Sequence, residues 1–258
     1  MSDVSERPRR PGFPFGLGAV MGRPPMRSWS LKVTGQTQVT PRMLRVSFSA
    51  LDLVSEPWRP GQDLVIHLPQ RNGSTARRHY TIRDVDRATG RIDIDFVLHG
   101  ASPAGDWARL ARAGEVIEAH GPRGRTSLAA GVEHHLFLGD ETCIPGIFAM
   151  AESMPAGAKG TALIEIADID EAQTLITPAD VTVEWLSRND AAPGPSNLLL
   201  DRLAALAPSP NGAHAYVIGE TSNVRNQRHH LLATGFDKAR ITAEGYWRPG
   251  RVGGHDHV

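Results

Sequence analysis

The chain predicts a two-part fold: a small antiparallel β-barrel followed by a doubly wound parallel α/β sheet. Three observations predict it. Residues 30 to 98 carry short alternating runs separated by turn residues, as an antiparallel barrel with one buried face requires. From about residue 136 the period changes, and short apolar runs alternate with segments of helical spacing, as in βαβ units. Between the two lies Ala129-Ala130-Gly131, small and unpatterned, which is where the boundary is placed.

Taken in order, Ser30 to Val39 and Arg42 to Phe48 alternate and read as strands. Pro60-Gly61 is a turn before the strand Asp63 to Leu68, and Gln70 to Ser74 is a loop. Arg77 to Arg83 is a strand, Asp86 to Gly90 a turn, and Arg91 to Leu98 a strand. Asp106 to Ala113 reads as a short helix ended by Gly114. In the second half Leu136 to Leu138 is a strand leading to a helix from Ile144 to Ser153, with Pro145 suited to its first turn. Strands follow at Thr161 to Ile166, Val181 to Leu186 and Ala213 to Ile218, with helices at Asn197 to Ala207 and Thr221 to Thr234. The expected units are a flexible arm 1–26, a barrel domain 27–128, an α/β domain 132–250 and a tail 251–258.

The composition narrows the function classes. Twenty-eight basic and 28 acidic residues give no net charge, so no global field steers the chain to nucleic acid or an anionic membrane. Arginine far outnumbers lysine, which suits bidentate recognition of phosphates and carboxylates. The single cysteine, Cys143, excludes an intramolecular disulfide and reads as a small packing residue. Phe13 to Val20 is too short and broken for a secretory core, and no run has the length of a membrane span. The expectation is a cytoplasmic protein, with nothing demanding more than a monomer. His229, His230, His255 and His257 read as solvated residues, and no metal site is expected.

The most informative stretch is Arg77-Arg78-His79-Tyr80-Thr81-Ile82-Arg83. In a strand Arg78 and Tyr80 share a face. A flavin dinucleotide needs both a guanidinium clamp for pyrophosphate and an aromatic plane for its ring. Thr81 brings a hydroxyl to the ring edge if the strand bends there. Further on stand Phe96-Val97-Leu98-His99-Gly100, Ser102-Pro103-Ala104-Gly105, Gly121-Pro122-Arg123-Gly124, Gly139-Asp140-Glu141-Thr142, Gly219-Glu220 and Gly245-Tyr246-Trp247-Arg248.

In this order the set resembles the siderophore-interacting protein family of flavin-dependent ferric-siderophore reductases, over roughly residues 27 to 250. The resemblance implies a six-stranded FAD-binding barrel and a nucleotide-binding sheet, on the ferredoxin-reductase plan. It implies that Arg78, His79, Tyr80, Thr81, His99, Gly100, Ala104, Gly105 and Thr142 bind FAD. Arg83 would reach the dinucleotide phosphates or pair with an acid such as Asp84. Trp247 would lie against the flavin or close a core, and Trp107 would pack. The Ser102 to Gly105 element departs from the family's Gly-Pro-Ala-Ser and is about one residue short.

NADH or NADPH is the implied electron donor, with ferredoxin the alternative. No Gly-x-Gly-x-x-Gly fingerprint is present; Asp140 and Glu141 stand in its place and would repel a pyrophosphate. The nicotinamide set would be Asp140, Glu141, Arg188 and Glu220, with Arg188 either a 2′-phosphate contact or a solvated loop residue. Arg225, Arg228 and Arg248 would form a basic rim for an anionic ferric chelate. No nucleophile or acid–base dyad appears, so no catalytic side chain is assigned. A generic or ferredoxin-linked flavin reductase, and a non-catalytic flavin- or siderophore-binding protein, are the alternatives.

Overall fold

The computed structural model describes residues 27–250 apart from 71, 72 and 101. The expected arm 1–26 and tail 251–258, with His255 and His257, lie outside the described residues, as do two positions of the predicted 70–74 loop. Two sheets form. The first holds β1 (Ser28–Thr40), β2 (Met43–Ser49), β3 (Asp63–Pro69), β4 (Thr75–Thr81), β5 (Asp84–Asp86), β6 (Arg91–Val97) and β7 (Val116–Arg123). Its order is β4-β3-β7-β1-β2-β6-β5, and its pairings are antiparallel.

The two edge strands, β4 and β5, are separated only by Ile82 and Arg83. A seven-stranded sheet whose edges are that close along the chain has to curl. The Arg83 N–H bonding to the Asp93 carbonyl at 2.9 Å carries the turn from β4 to the β6 side. The six-stranded expectation therefore becomes seven: the extra strand is β5, which continues β4 beyond the bend. Inside lie Leu31, Val46, Phe48, Leu64, Ile66, Ile94 and Phe96.

Two short elements of this half were not expected. A helical turn, α1 (Leu51–Val54), follows β2. Strand β7 alternates with Ile117 and Ala119 buried, but runs into Gly121-Pro122, which reads locally as a turn. The helix α2 (Pro103–Leu110) starts three residues before its predicted position. Ser102 Oγ accepts the Gly105 N–H, Pro103 fills the first turn, and Ala111 with ψ 136° ends the helix before Gly114.

The second sheet holds β8 (His134–Asp140), β9 (Lys159–Ile166), β10 (Asp180–Ser187), β11 (Ala213–Glu220) and β12 (Ile241–Trp247), all parallel, in the order β10-β9-β8-β11-β12. The predicted helices are α3 (Ile144–Glu152), α4 (Leu198–Leu206) and α5 (Thr221–Ala233). Alternation sorts the strands between two cores. Phe137, Ile164 and Ile218 face α3 through Ile147 and Phe148. Leu136, Leu138, Leu163 and Val217 face α4 and α5 through Leu203, Val224 and Leu231. Helices thus cover both faces, as a doubly wound sheet demands. Strand β12 was missed because Gly245 interrupts it.

The α3 face also takes in Met43 and, at its margin, Val39 and Val97 of the barrel, so the two sheets share one apolar interface. Polar contacts stitch its rim. Arg83 bonds Glu152, Thr40 bonds Glu171, and Thr126 Oγ1 donates to Glu244 Oε2 at 2.8 Å.

Candidate functional site

Strand β4 is an edge strand, paired only with β3. Its register sets Tyr80 opposite Leu64 and Arg78 opposite Ile66, both on the buried side of β3, while His79 and Thr81 stand opposite Val65 and Asp63. Arg78 and Tyr80 therefore share a face, as the period of two predicts. The Tyr80 ring lies against Phe96 with centroids 4.4 Å apart, and Phe96 in turn meets Trp107 at 5.7 Å. Burial pushes the Tyr80 phenol above its ordinary pKa, so it stays neutral. Trp107 is a packing residue: it stacks on Phe48 and its Nε1 donates to Glu115 Oε1 at 2.7 Å.

Arg78 is half-buried and donates to the carbonyl of Arg77 at 2.8 Å. Among the described residues no carboxylate lies within ion-pair reach of it. A guanidinium of this kind, beside an aromatic ring on an open strand edge, fits a phosphate-bearing aromatic cofactor. Thr81 ends β4, and the chain bends immediately after it.

Two other members of the predicted flavin set, His79 and Arg83, are held by protein carboxylates. His79 Nδ1 is 2.6 Å from Asp63 Oδ2, on the opposite face from Tyr80. Arg83 pairs with an acid, but with Glu152 rather than Asp84. Its guanidinium forms a bidentate pair with Glu152 at 2.7 and 2.6 Å and lies 5.7 Å over the Phe148 ring, while Asp84 pairs with Arg91 at 2.9 Å. The turn opening α2 is largely self-capped: Pro103 has no N–H and Gly105 gives its own to Ser102 Oγ at 3.1 Å. Ala104 is buried there. His99 and Gly100 are exposed beyond β6.

The order of the second sheet reverses between β8 and β11, the switch point at which doubly wound folds bind ligands. Here the chain fills that point itself. Asp140 Oδ1 accepts the N–H and hydroxyl of Thr142 at 2.9 and 2.5 Å. Asp140 Oδ2 accepts the Glu220 N–H and the Trp247 indole N–H, each at 2.9 Å. Burial, then the charge of Glu141, push the Asp140 carboxyl up to about 6 against the pull of Thr142 and Trp247. Glu220 Oε2 caps α5 by accepting from Ser222 and Asn223, both at 2.8 Å. Gly219 is required: it has φ +129°, and a Cβ there would stand 2.6 Å from Asp140 Oδ2.

Arg188 is not solvated, and its guanidinium is taken up by protein carboxylates. Its side chain is 4% exposed, bonded bidentately to Glu141 at 2.8 and 2.6 Å and to Glu165 at 3.3 Å. The predicted repulsion from Glu141 is removed by this pairing. The four predicted nicotinamide residues are thus buried and mutually satisfied, apart from one oxygen, Glu220 Oε1, that has no partner. Cys143 is fully buried and its thiol is pushed well up, chiefly by burial and by Asp140, so it packs rather than attacks.

A cavity of about 180 Å³ opens between the sheets, lined by Arg42, Leu98, His99 and Gly100 on one side and by Glu141, Ile144 and Arg188 on the other. The predicted basic rim does not assemble around it as one group. Arg225 and Arg228 lie on α5, which covers the sheet face away from α3 and the barrel; Arg248 is exposed after β12. Among the described residues no three His, Cys, Asp or Glu side chains form a metal-holding group, and no helix is long and apolar enough to cross a membrane. Reading the sequence missed Arg42, Glu152, Glu171 and Tyr246, which join the two halves. Only Tyr246 carried a signal, its place in the Gly-Tyr-Trp-Arg motif.

Residues 132–250 match the siderophore-interacting protein family, and residues 62–126 match the siderophore-interacting FAD-binding domain. The chain is 31% identical to the ferric vibriobactin reductase ViuB of Vibrio cholerae over 238 residues, 83% of this chain and 86% of that protein. A siderophore utilization protein from T. fusca superposes with a TM-score of 0.79 at 31% identity, covering 88% of this chain and 95% of that one. A ferredoxin reductase of carbazole 1,9a-dioxygenase, at 16% identity and a TM-score of 0.68, covers 87% of this chain and 70% of its own and shares the fold alone.

Proposed function

This chain belongs to the siderophore-interacting protein family, and on that premise we propose that it is an FAD-dependent reductase of ferric siderophores or related ferric chelates. The observation that carries the reading is the edge strand β4, where Arg78, without a carboxylate partner among the described residues, stands beside the half-buried Tyr80 ring. Tyr80 would lie against the flavin ring, held from behind by Phe96 and Trp107. Arg78 would clamp the pyrophosphate, with His99, Gly100 and Ala104 bordering the dinucleotide. Thr81 would put its hydroxyl at the ring edge. Bound FAD would supply the conversion between a two-electron donor and a one-electron acceptor such as Fe(III). Lowering iron from Fe(III) to Fe(II) weakens its hold on hard oxygen chelators, so release follows reduction. None of this asks for a protein nucleophile or proton shuttle.

The donor in this reading is NADH or NADPH, approaching by the cavity between the sheets. A second donor, ferredoxin, is favoured by one observation: Asp140 and Glu220 already occupy the backbone N–H groups at the switch point. The single, buried cysteine suits a reducing cytoplasm. The test is an anaerobic absorbance record of FAD-loaded protein, first with NADH or NADPH, then with a ferric siderophore. Bleaching by the nicotinamide and recovery with the chelate is the expected result. A flavin that stays oxidised with both nicotinamides but is bleached by reduced ferredoxin would move the donor assignment. No flavin uptake would overturn the reading.

A further inference from the structure

Arg83 stands two residues beyond Thr81, at the bend where the chain leaves β4 for the β6 side. The barrel holds the backbone of that bend: the Ile82 N–H donates to the Gln62 carbonyl at 3.0 Å and the Arg83 N–H to the Asp93 carbonyl at 2.9 Å. The α/β unit holds the side chain. Glu152, the last residue of α3, takes the guanidinium with both oxygens at 2.7 and 2.6 Å. Phe148, one turn earlier on the same helix face, has its ring centroid 5.7 Å from the guanidinium. The first turn of α3 meets the same strand end: a Cβ built on Gly146 would stand 3.5 Å from Thr81 Cγ2 and 3.7 Å from Thr81 Oγ1. One helix therefore touches both Thr81 and Arg83. The carboxylate does not serve the helix, since on its last residue it meets the negative end of the dipole, and no basic residue occupies that turn. The barrel supplies no substitute for it. Asp95 Oδ2 is 4.0 Å from Arg83 Nε, and both Asp95 oxygens are taken by Arg45 at 2.7 and 2.9 Å. Arg83 Nε has no hydrogen-bond partner among the described residues. With its side chain 11% exposed, Arg83 depends on Glu152 to balance its charge.

We propose that Glu152 is a positioning residue for the flavin-binding edge: by clamping Arg83 from α3 it fixes the bend that ends β4, and with it the direction in which Tyr80 and Thr81 meet the cofactor. The proposal rests on the flavin reading above. Strand β4 has a ladder neighbour on one side only, so its other flank does nothing to hold its end. Ile82 alone separates Arg83 from Thr81, too little chain to absorb a shift of the bend without moving the threonine. A bidentate guanidinium–carboxylate pair sets an angle as well as a distance, which a single-point contact would not. In this reading Glu152 touches neither flavin nor chelate and acts only through Arg83.

The experiment is a double-mutant cycle on the full chain, with Glu152→Ala, Arg83→Met and the pair. FAD dissociation constants, the visible circular dichroism of the bound flavin and melting temperatures are read for each. Glu152→Ala should weaken FAD binding roughly three- to tenfold, within the coupling that packed networks carry, and should alter the flavin dichroism. Arg83→Met should do the same, and adding Glu152→Ala to it should change nothing further. Glu152→Gln, which keeps the length and one acceptor, should give a smaller loss in the same direction. Affinity and dichroism that stay native in Glu152→Ala, whatever the melting temperature, would assign the pair to packing of the two units and overturn the proposal. Additive losses of affinity would overturn it too. If Glu152→Ala does not fold, Glu152→Gln decides, and native affinity and dichroism there overturn the proposal. A wild-type chain that binds no FAD would overturn the flavin reading itself and this proposal with it.

Discussion

Arg188 is where reading the sequence and the structure make opposite predictions, and Arg188→Met separates them. In the structure the guanidinium is 4% exposed, and its partners Glu165 and Glu141 are 2% and 12% exposed at their side chains. Replacing it by an apolar group of similar length leaves both carboxylates, largely buried, without their cation. Breaking such a buried cluster from one side costs about 3–5 kcal/mol, because the desolvation of the charges left behind is no longer offset. Glu165 keeps its bond from Ser196 Oγ at 2.5 Å, which places the expected loss near the lower end, about 3 kcal/mol. The pair Arg202–Glu184, with side chains 34% and 36% exposed, is an internal control: Arg202→Met should leave the urea midpoint close to that of the native chain, because exposed ion pairs contribute little. Urea unfolding at neutral pH measures both, alongside the NADPH-to-NADH preference of any nicotinamide-dependent flavin reduction. The structural account expects a large stability loss and an unaltered preference. A stability change below about 1 kcal/mol together with a selective loss of NADPH use would refute it and return Arg188 to the 2′-phosphate role.

Tyr80→Ala should abolish stable FAD occupancy, measured by absorbance after gel filtration; full occupancy would remove Tyr80 from the site. Arg78→Gln should weaken FAD by at least about tenfold, since bonds from a charged donor are worth about 1.5–3 kcal/mol, and isothermal titration reads the difference; an unchanged affinity would mean that no phosphate rests on Arg78. His214 is pushed down to about 4, first by burial and then by His135 and Arg240, while its ring packs on Tyr216 and bonds Thr242 at 2.9 Å. The unfolded ring titrates near pH 6.5, so on acidification the unfolded chain takes up a proton that the folded chain refuses. The stability from this residue is complete above about pH 6.5 and drains away towards pH 4, by at most about 3 kcal/mol. His214→Gln should flatten the acid limb of the unfolding curve relative to the native chain; superimposable limbs would show that the ring is not held neutral.

Much of the architecture is legible because burial writes a period into the chain. The alternation of Leu136, Phe137 and Leu138 between two cores, and of Tyr80 with Thr81 across β4, follows from side-chain direction alone. Strands β7 and β12 escape for a local reason: each contains a glycine that marks a turn in most contexts, here overridden by pairing with distant strands. The site divides in the same way. Arg78 and Tyr80 are readable because their roles are set by neighbours on one strand. Arg83 and Arg188 are not, since what decides them is the carboxylates of Glu152, Glu141 and Glu165, between 23 and 69 residues away, and nothing local distinguishes an arginine bound to acid from one left for phosphate. His79 belongs with them, because its partner Asp63 lies on the adjacent strand.

The switch point carries the larger consequence. Each helix that starts there leaves backbone N–H groups in want of an anion, and in dinucleotide-binding sheets a pyrophosphate meets that want. In this chain Asp140 and Glu220 are the anions. The Asp140 carboxylate does two further things: it receives the Trp247 indole and the first N–H beyond Gly219. A pyrophosphate entering in the usual manner would have to displace a carboxylate that holds the last strand in place, and would meet the charge of Glu220 behind it. The energetically open approach is from the barrel side, where Arg42, His99 and Gly100 face Ile144 across the cavity. The α/β unit then acts mainly by what it brings to the barrel. Glu152 clamps Arg83 at the bend after β4. On this logic the edge proposed for the flavin is complete only when both sheets are folded against each other, which is why residues as far apart as Arg83 and Glu152 answer for one site.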